Sequence, residues 1–282
     1  MVLIGAAGSY LQISIAVFLG SIFVSDLVAI DLSRGFHGSD TTIRLARIFQ
    51  ALALCREELE EYYTGLRPSS SYDFSFLHPH PVTANETPLP TIKYDKYLAS
   101  NGLPTETVPD LGERSTALYT GILDGGERVL IKFAGRYNVE AHKLLAEAGL
   151  APRLHFFNPI IGNLHMIVMD YLPDAMTSDL KLREERVSGP SAVLDKVELA
   201  VSLLHERGIV FGDLREGNIV YFDDRVMLVD FDWAGRHGVD RYPATLNVEG
   251  SCQWADDVYP YGVMRKEHDL WQLRRLRRLF ES

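Results

Sequence analysis

The chain has 282 residues, a length that suits one large α/β domain or two packed lobes. Hydrophobic residues make up 46% and charged residues 23%, the composition of an ordinary globular protein, which excludes a fibrous or wholly disordered chain. The formal net charge of −10 argues against a broad nucleic-acid-binding surface, because neutralising phosphates requires clustered Lys and Arg.

The first 25 residues form the least polar part of the chain. No charged residue occurs from Val2 to Ser25, and the run is long enough to cross a bilayer. It has no basic leader and no flanking Lys or Arg cluster, and its alternation at Ile13, Ile15 and Val17 is also typical of strands. We therefore expect buried core structure in a cytoplasmic protein, with a membrane anchor through residues 2–25 as the alternative.

A long amphipathic helix is predicted from Thr41 to Thr64, ended by Gly65 and Pro68. Its apolar side chains recur at steps of three and four, which puts them on one face that we expect to pack on its own domain. They are Leu45, Ile48, Leu52, Cys55, Leu59, Tyr62 and Leu66. Residues 67–90 are rich in Pro, Ser and Asn and are predicted to be a linker.

Strands and helices are predicted in mixed order after the linker. Alternating apolar residues around Gly125-Gly126 indicate a β-hairpin. In chain order we expect a hairpin at residues 117–133, a helix at 138–148, a strand at 164–172 and a helix at 191–208.

Three polar residues flank the short apolar runs that follow. Asn218 and Asp230 would meet at one end of a predicted two-stranded hairpin, and such oxygen ligands hold Mg²⁺, which takes its other ligands from water and substrate phosphates. Asp213 lies in a loop, where it could accept a proton from an attacking hydroxyl. Arg215 could offset charge on a transferred phosphoryl group. Asp and Asn beside strands are also ordinary turn residues, so this pattern alone leaves both interpretations open.

Lys132 lies inside the apolar strand "VLIKF", where an unpaired ammonium would be costly to bury. Glu140 in the following helix can supply an anion, with Glu147 as the alternative partner, or the lysine could extend to water at the strand edge. The order of strand lysine, helix glutamate, apolar strand, helix, Asp, Asn and Asp indicates a nucleotide-phosphate site.

On these residues the chain resembles the protein-kinase-like superfamily, and it looks most similar to fungal protein-kinase-like proteins with features of aminoglycoside phosphotransferases and choline kinases. The likeness is carried by "VLIKF", "RYNVEAHKLLAEAGLAPRL", "MIVMDYL", "LLHERGIVFGDLREGN", "VMLVDFDWAG" and "KEHDLW". It implies an α+β, two-lobed protein-kinase-like fold with a small β-rich N-lobe and a helical C-lobe, preceded by an N-terminal helical extension. The implied segments are an extension (1–66), a linker (67–90), an N-lobe (91–172) and a short C-lobe (173–282).

The resemblance implies catalytic and metal-binding roles for five residues. Asp213 would be the catalytic base, with Arg215 beside it. Asn218 and Asp230 would hold Mg²⁺, and Asp232 is a further candidate ligand of the metal.

Nucleotide-binding roles follow from the same resemblance. Lys132 would contact the α- and β-phosphates of ATP, and Glu140 would pair with it. The hinge that meets adenine would consist of Met169, Asp170, Tyr171 and Leu172. Asp269 would brace the catalytic loop from beneath.

Several motifs depart from the kinase pattern. Phe211 and Gly212 stand before the catalytic Asp where kinases have His-Arg, and Asp232 replaces the Gly of Asp-Phe-Gly. A Gly-rich loop and an Ala-Pro-Glu motif are absent from the sequence. The expected function is an ATP- and Mg²⁺-dependent transfer of the γ-phosphate to a hydroxyl of a protein or small molecule. The alternative is a pseudokinase, a nucleotide-binding or scaffold module with little or no catalysis. Neither interpretation requires nucleic acid as a partner.

Overall fold

The computed structural model describes residues 2–18, 22–32, 39–65, 81–99, 102–106, 118–160, 164–173, 175–177, 190–222, 225–244, 246 and 253–281. The chain divides into two compact units, residues 1–78 and 79–282. The finer division into four segments stays a prediction.

Three strands and one helix make up the described part of the first unit. The strands form an antiparallel sheet in the order β1-β2-β3. The elements are β1 (Val2–Ala7), β2 (Tyr10–Phe18), β3 (Ile22–Asp31) and α1 (Ser39–Gly65). The prediction of a helical N-terminal extension is therefore wrong for residues 2–31, because their alternating pattern forms strands.

The burial of these strands is less complete than expected. Ile13 and Ile30 are buried, and Ser14 is buried with its hydroxyl donating to Asp26 Oδ1 at 2.7 Å. Val2 and Ile4 are exposed, so a continuous buried core is not formed by the described side chains. None of the helices described in the structure is both long and apolar enough to span a membrane.

Helix α1 confirms the predicted helix, within two residues at its start and one at its end. Leu45, Ile48 and Leu52 are half-buried, whereas Cys55 and Leu59 are exposed. The predicted packing of the apolar face is therefore confined to its first half. Leu66 and Pro68 lie outside the described residues.

The second unit begins with a six-stranded antiparallel sheet in the order β5-β4-β6-β7-β9-β8. Its strands are β4 (Ile92–Leu98), β5 (Pro104–Thr105), β6 (Leu118–Leu123), β7 (Arg128–Ala134), β8 (Leu154–Ile160) and β9 (Leu164–Asp170). The predicted hairpin is the β6–β7 pair, which turns at Gly125-Gly126. Helix α2 (Val139–Glu147) follows β7 and is capped by Asn138, whose side chain accepts from the amide of Ala141.

Among the described residues, the rest of this unit is built on two helices, α3 (Pro190–Glu206) and α4 (Lys266–Glu281). The short strand β10 (Met176–Thr177) precedes α3. Four more short strands lie between the two helices: β11 (Ile209–Val210), β12 (Ile219–Phe222), β13 (Arg225–Leu228) and β14 (Gly235–Arg236). The predicted hairpin is the antiparallel β12–β13 pair. Residues 223–224 at its turn lie outside the described residues.

One large apolar core joins these elements and positions the site. It contains Leu145 of α2, Val197 of α3, Ile219 of β12 and Leu276 of α4, all buried. Phe231, which follows β13, lies in the same core and is 1% exposed. The segments that carry the acidic residues are thus anchored on both sides by buried hydrocarbon.

Candidate active site

Lys132 lies in β7, between β6 and β9, and only 6% of its surface is exposed. Its Nζ donates to Asp230 Oδ1 and to Asp232 Oδ1, each at 2.7 Å. Burial acts to lower the pKa of the ammonium, but the two carboxylates outweigh this and raise it. Lys132 therefore stays charged, and its two ion pairs join the sheet to the segment of residues 230–232.

The predicted partner of this lysine, Glu140, is exposed in the first turn of α2. The helix buries Ala141, His142 and Leu145 instead, so its rotation turns Glu140 away from the core. The predicted Lys132–Glu140 ion pair is therefore wrong for this structure, and the alternative, Glu147, is exposed as well. A contact between Glu140 and a nucleotide stays a prediction.

Asp230 and Asp232 keep part of their side chains accessible, 35% and 26% respectively. The pKa of Asp230 is lowered, because Lys132 outweighs the opposing effect of burial. Burial and the charge of Asp230 raise the pKa of Asp232. Asp230 also has a φ of +68°, a left-handed conformation that is uncommon for a residue other than glycine and is concentrated at functional sites.

Asp213, Arg215 and Asn218 form a second hydrogen-bonded group. Asn218 Nδ2 donates to the carbonyl oxygen of Asp213 at 2.9 Å and to its Oδ2 at 2.8 Å. Arg215 Nε lies 3.1 Å from Asp213 Oδ1 and 3.2 Å from Oδ2. Burial raises the pKa of Asp213 to about 6, with a further rise from the charge of Asp230, while Arg215 and Asn218 act to lower it. The charge of Asp230 thus acts on Asp213, and a shared site for the two groups stays a prediction.

The loop carrying Asp213 is held from beneath, as the resemblance implied for Asp269. The buried carboxylate of Asp269 accepts from the amides of Phe211 at 2.8 Å and Gly212 at 2.9 Å. His205 Nε2 lies 2.9 Å from the same carboxylate.

Phe211 and Gly212, which stand where kinases have His-Arg, each fit the local structure of the loop. Phe211 is fully buried and packs edge-on against Phe231, with ring centroids 5.7 Å apart. Gly212 has a φ of +81°, and a Cβ there would lie 3.2 Å from the carbonyl oxygen of Trp233. The residue before Asp213 therefore has to be small and left-handed.

Helix α4 supports the loop at a second point that sequence patterns did not reveal. Arg275 donates from Nη1 and Nη2 to the two carboxylate oxygens of Glu216, both at 3.1 Å. Glu216 begins the 3₁₀ turn that ends at Asn218. Arg275 lies among other arginines of α4, but its side chain is only 13% exposed.

The segment after β13 is fixed by the β7–α2 connection, another feature missed from sequence. The amide of Asn138 donates to Phe231 O at 3.1 Å, and its side chain donates to Ala234 O at 3.2 Å. Arg136 donates to Trp233 O at 3.3 Å. The ring of His142 stacks on Phe231 with centroids 4.8 Å apart.

The predicted hinge consists of the last two residues of β9 and the two residues that follow it. The amides of Asp170 and Tyr171 donate to the carbonyls of Arg153 and Arg128, at 2.9 and 3.1 Å. Those amides are used within the protein, so the predicted contact with adenine would have to come from other groups of the hinge, including those of Met169 and Leu172, and it stays a prediction. Met169 itself is mostly buried, at 6% exposure.

The donor set fits Mg²⁺ in chemical type. The accessible carboxylates of Asp230 and Asp232 and the amide of Asn218 provide the oxygen atoms that Mg²⁺ prefers, with phosphates completing its coordination. In the described part of the chain, no group of three or more His, Cys, Asp or Glu side chains is arranged to hold a metal ion.

The comparisons with known proteins bear on the part of the chain that holds these residues. Residues 124–238 match the family model of the RIO domain. A structure described as the Cydia pomonella granulovirus kinase PK-1 is 17% identical over 64% of this chain, with a TM-score of 0.47. The chain covers 65% of the length of that kinase, and a likeness at this level supports no inference on function. A comparison with curated protein sequences finds no match.

The matched segment begins before Lys132 and ends after Asp232. It confirms the predicted protein-kinase-like superfamily, and the described strands and helices confirm the predicted mixture of a β-rich part and helices. The specific similarity to fungal proteins stays a prediction.

Proposed function

We propose that the protein is an ATP- and Mg²⁺-dependent phosphotransferase that transfers a γ-phosphate to a hydroxyl group of a protein or small molecule. The observation that carries the proposal is the arrangement of Lys132, Asp230 and Asp232 around one ion-paired centre, electrostatically linked to Asp213. The RIO-domain match supports a kinase-type phosphotransferase.

Lys132 is the residue suited to bind phosphate. A buried ammonium with two anionic partners can exchange a carboxylate for a phosphate oxygen at little electrostatic cost. Asp230 and Asp232, with the Asn218 amide, would hold Mg²⁺, which neutralises charge on the phosphates. The exposed fractions of both carboxylates leave room for these ligands.

Asp213 is the residue suited to receive the proton of the acceptor hydroxyl. Its raised pKa, about 6, makes it a stronger base than an exposed carboxylate while leaving it mostly ionised at neutral pH. Asn218 orients it through two hydrogen bonds, and Arg215 stabilises its charge before the reaction. Arg215 is also placed to offset charge that develops on the transferred group.

A pseudokinase is the second candidate, and one observation favours it. Lys132, Asp230 and Asp232 satisfy each other with two 2.7 Å contacts, so the centre is stable without bound ligand. Binding of Mg-ATP without transfer to any acceptor would identify this function.

The direct test is transfer of labelled phosphate from ATP to panels of protein and small-molecule hydroxyl acceptors. We expect transfer by the wild type and an Asp213→Asn variant slowed by about 100-fold or more, because the general base is lost. Asp195→Asn, an exposed carboxylate on α3, is the matched control and should transfer normally. An Asp213→Asn variant as fast as the control would show that Asp213 is not the base.

A further inference from the structure

A basic cavity lies on the surface of α4, apart from the residues of the candidate active site. It has a volume of about 590 Å³ and is lined by one aromatic and three arginine side chains. They are Trp271, Arg274, Arg277 and Arg278.

The opposite side of α4 is anchored in the protein, so the basic side is held facing outward. Gln272, Leu273 and Leu276 are buried, and Gln272 donates to Gln253 O at 2.8 Å. The arginines that line the cavity are exposed, and Trp271 is half-buried. The helix therefore presents an indole beside exposed guanidinium groups.

The charges of this surface are only partly neutralised by the protein itself. Arg277 pairs with Glu198 of α3. Among the described residues, Arg274 and Arg278 have no carboxylate partner within ion-pair distance, although Arg278 Nε donates to Arg274 O at 3.4 Å. They are four residues apart on one helix, where like charges repel. An anion between them would relieve this repulsion.

We propose that the cavity is a docking site for a peptide segment bearing anionic side chains, carboxylate or phosphate, on a partner protein. Arginine guanidinium groups bind such anions through paired hydrogen bonds. The same helix already does so within the protein, because Arg275 binds both oxygens of Glu216. Trp271 offers an apolar surface to a neighbouring residue of the peptide. The inference is independent of the proposed function.

Charge and shape favour a peptide over a polynucleotide or a membrane. The formal net charge of −10 repels a long polyanion, and three arginines in one cavity do not provide the extended track that nucleic acid requires. Insertion of a helix into an anionic membrane needs a continuous apolar face, but Leu273 and Leu276 are buried within the protein, and the exposed Leu270 and Leu279 lie on opposite sides of α4. An open, shallow basic site suits the side chains of a short segment.

The test is fluorescence anisotropy with a short labelled peptide rich in Glu and Asp, its phosphoserine counterpart and its Gln/Asn counterpart, added to the full chain. We expect both anionic peptides to bind and the neutral peptide not to bind; their relative Kd values show which anion is preferred. The double variant Arg274→Gln/Arg278→Gln should weaken anionic binding about tenfold or more. Circular dichroism should show an unchanged fold, because both side chains are exposed.

The matched control is Arg44→Gln/Arg47→Gln, which removes the same charge from two exposed positions of α1. It should bind the anionic peptides as the wild type does. Equal weakening by both double variants would overturn the proposal, because it would mean that net charge and not the cavity drives binding. Anionic vesicles or duplex DNA binding at the cavity in preference to the peptides would overturn it as well.

Discussion

Lys132 shows how a single charged residue can be tolerated inside this protein. An isolated ammonium in so buried a position would be strongly unfavourable, but two carboxylates 2.7 Å away compensate for the lost hydration. Removing the lysine would leave two carboxylates without a cation in a poorly hydrated place, whereas removing one carboxylate would leave a single ion pair. The same three side chains are those that the proposed reaction would use to bind phosphate and metal.

His142 is a fully buried residue of α2, and its neutral imidazole stacks on the ring of Phe231. Burial lowers its pKa to about 4, although its contact with Pro152 O opposes this. Between pH 6.5 and 4 the unfolded chain therefore binds a proton that the folded chain does not, so stability falls as pH falls. The loss of unfolding free energy from this group over that interval is about 3 kcal/mol.

We expect His142→Gln to reduce the pH dependence of unfolding in this interval, measured by urea denaturation at a series of pH values. His237→Gln, which replaces an exposed histidine, is the control and should keep the wild-type slope. If the two variants have equal slopes, protonation of His142 does not limit acid stability.

At the scale of elements, α4 supports the catalytic loop at both of its ends. Asp269 holds the amides before Asp213, and Arg275 holds Glu216 before Asn218. The spacing between these two loop residues is thus fixed by one helix. We infer that Arg275 is a positioning residue, which acts on the reaction through Glu216 and does not touch the substrate.

Breaking the pair from either side should have similar effects. We expect Arg275→Ala and Glu216→Gln each to lower the free energy of unfolding by about 2 kcal/mol, since a charge-assisted pair is lost. The double variant should cost less than the sum of the two, and Arg275→Lys should recover only part of the transfer rate because lysine cannot form the two-pronged contact. Urea denaturation and the phosphate-transfer rate measure these effects. If the loss of unfolding free energy in the double variant equals the sum of the losses in the two single variants, Arg275 and Glu216 are not coupled.

Elements were more predictable from the sequence than their contacts. The hairpin of β6 and β7 and the helix α2 followed from local periodicity and from Gly125-Gly126, which are properties of neighbouring residues. The pairing of Lys132 was mispredicted, because the rotation of α2 depends on what His142 and Leu145 pack against. No local period connects Arg275 to Glu216, which are 59 residues apart.

At the scale of the whole molecule, every residue of the candidate site belongs to the unit of residues 79–282. The order of chemical groups along the chain was sufficient to predict the superfamily, whereas the roles of Asp213, Asn218 and Asp230 in a shared site stay predictions. The first unit was less predictable. Its uncharged run fitted both the predicted buried core structure, with strand-like alternation, and the alternative of a membrane span.

The most direct test of the central claim, that Lys132, Asp213, Asn218 and Asp230 surround one Mg-ATP site, is the thermal unfolding of the full chain with ATP in the presence and absence of Mg²⁺. We predict that Mg-ATP raises Tm, since a ligand at about 100 times its Kd adds about 2.7 kcal/mol to stability. ATP alone should act weakly, because Asp230 and Asp232 repel its phosphates until a cation binds. The shift should persist in Asp195→Asn and be lost in Asp230→Asn. An unchanged Tm in the wild type, or an equal shift in Asp230→Asn, would contradict the account.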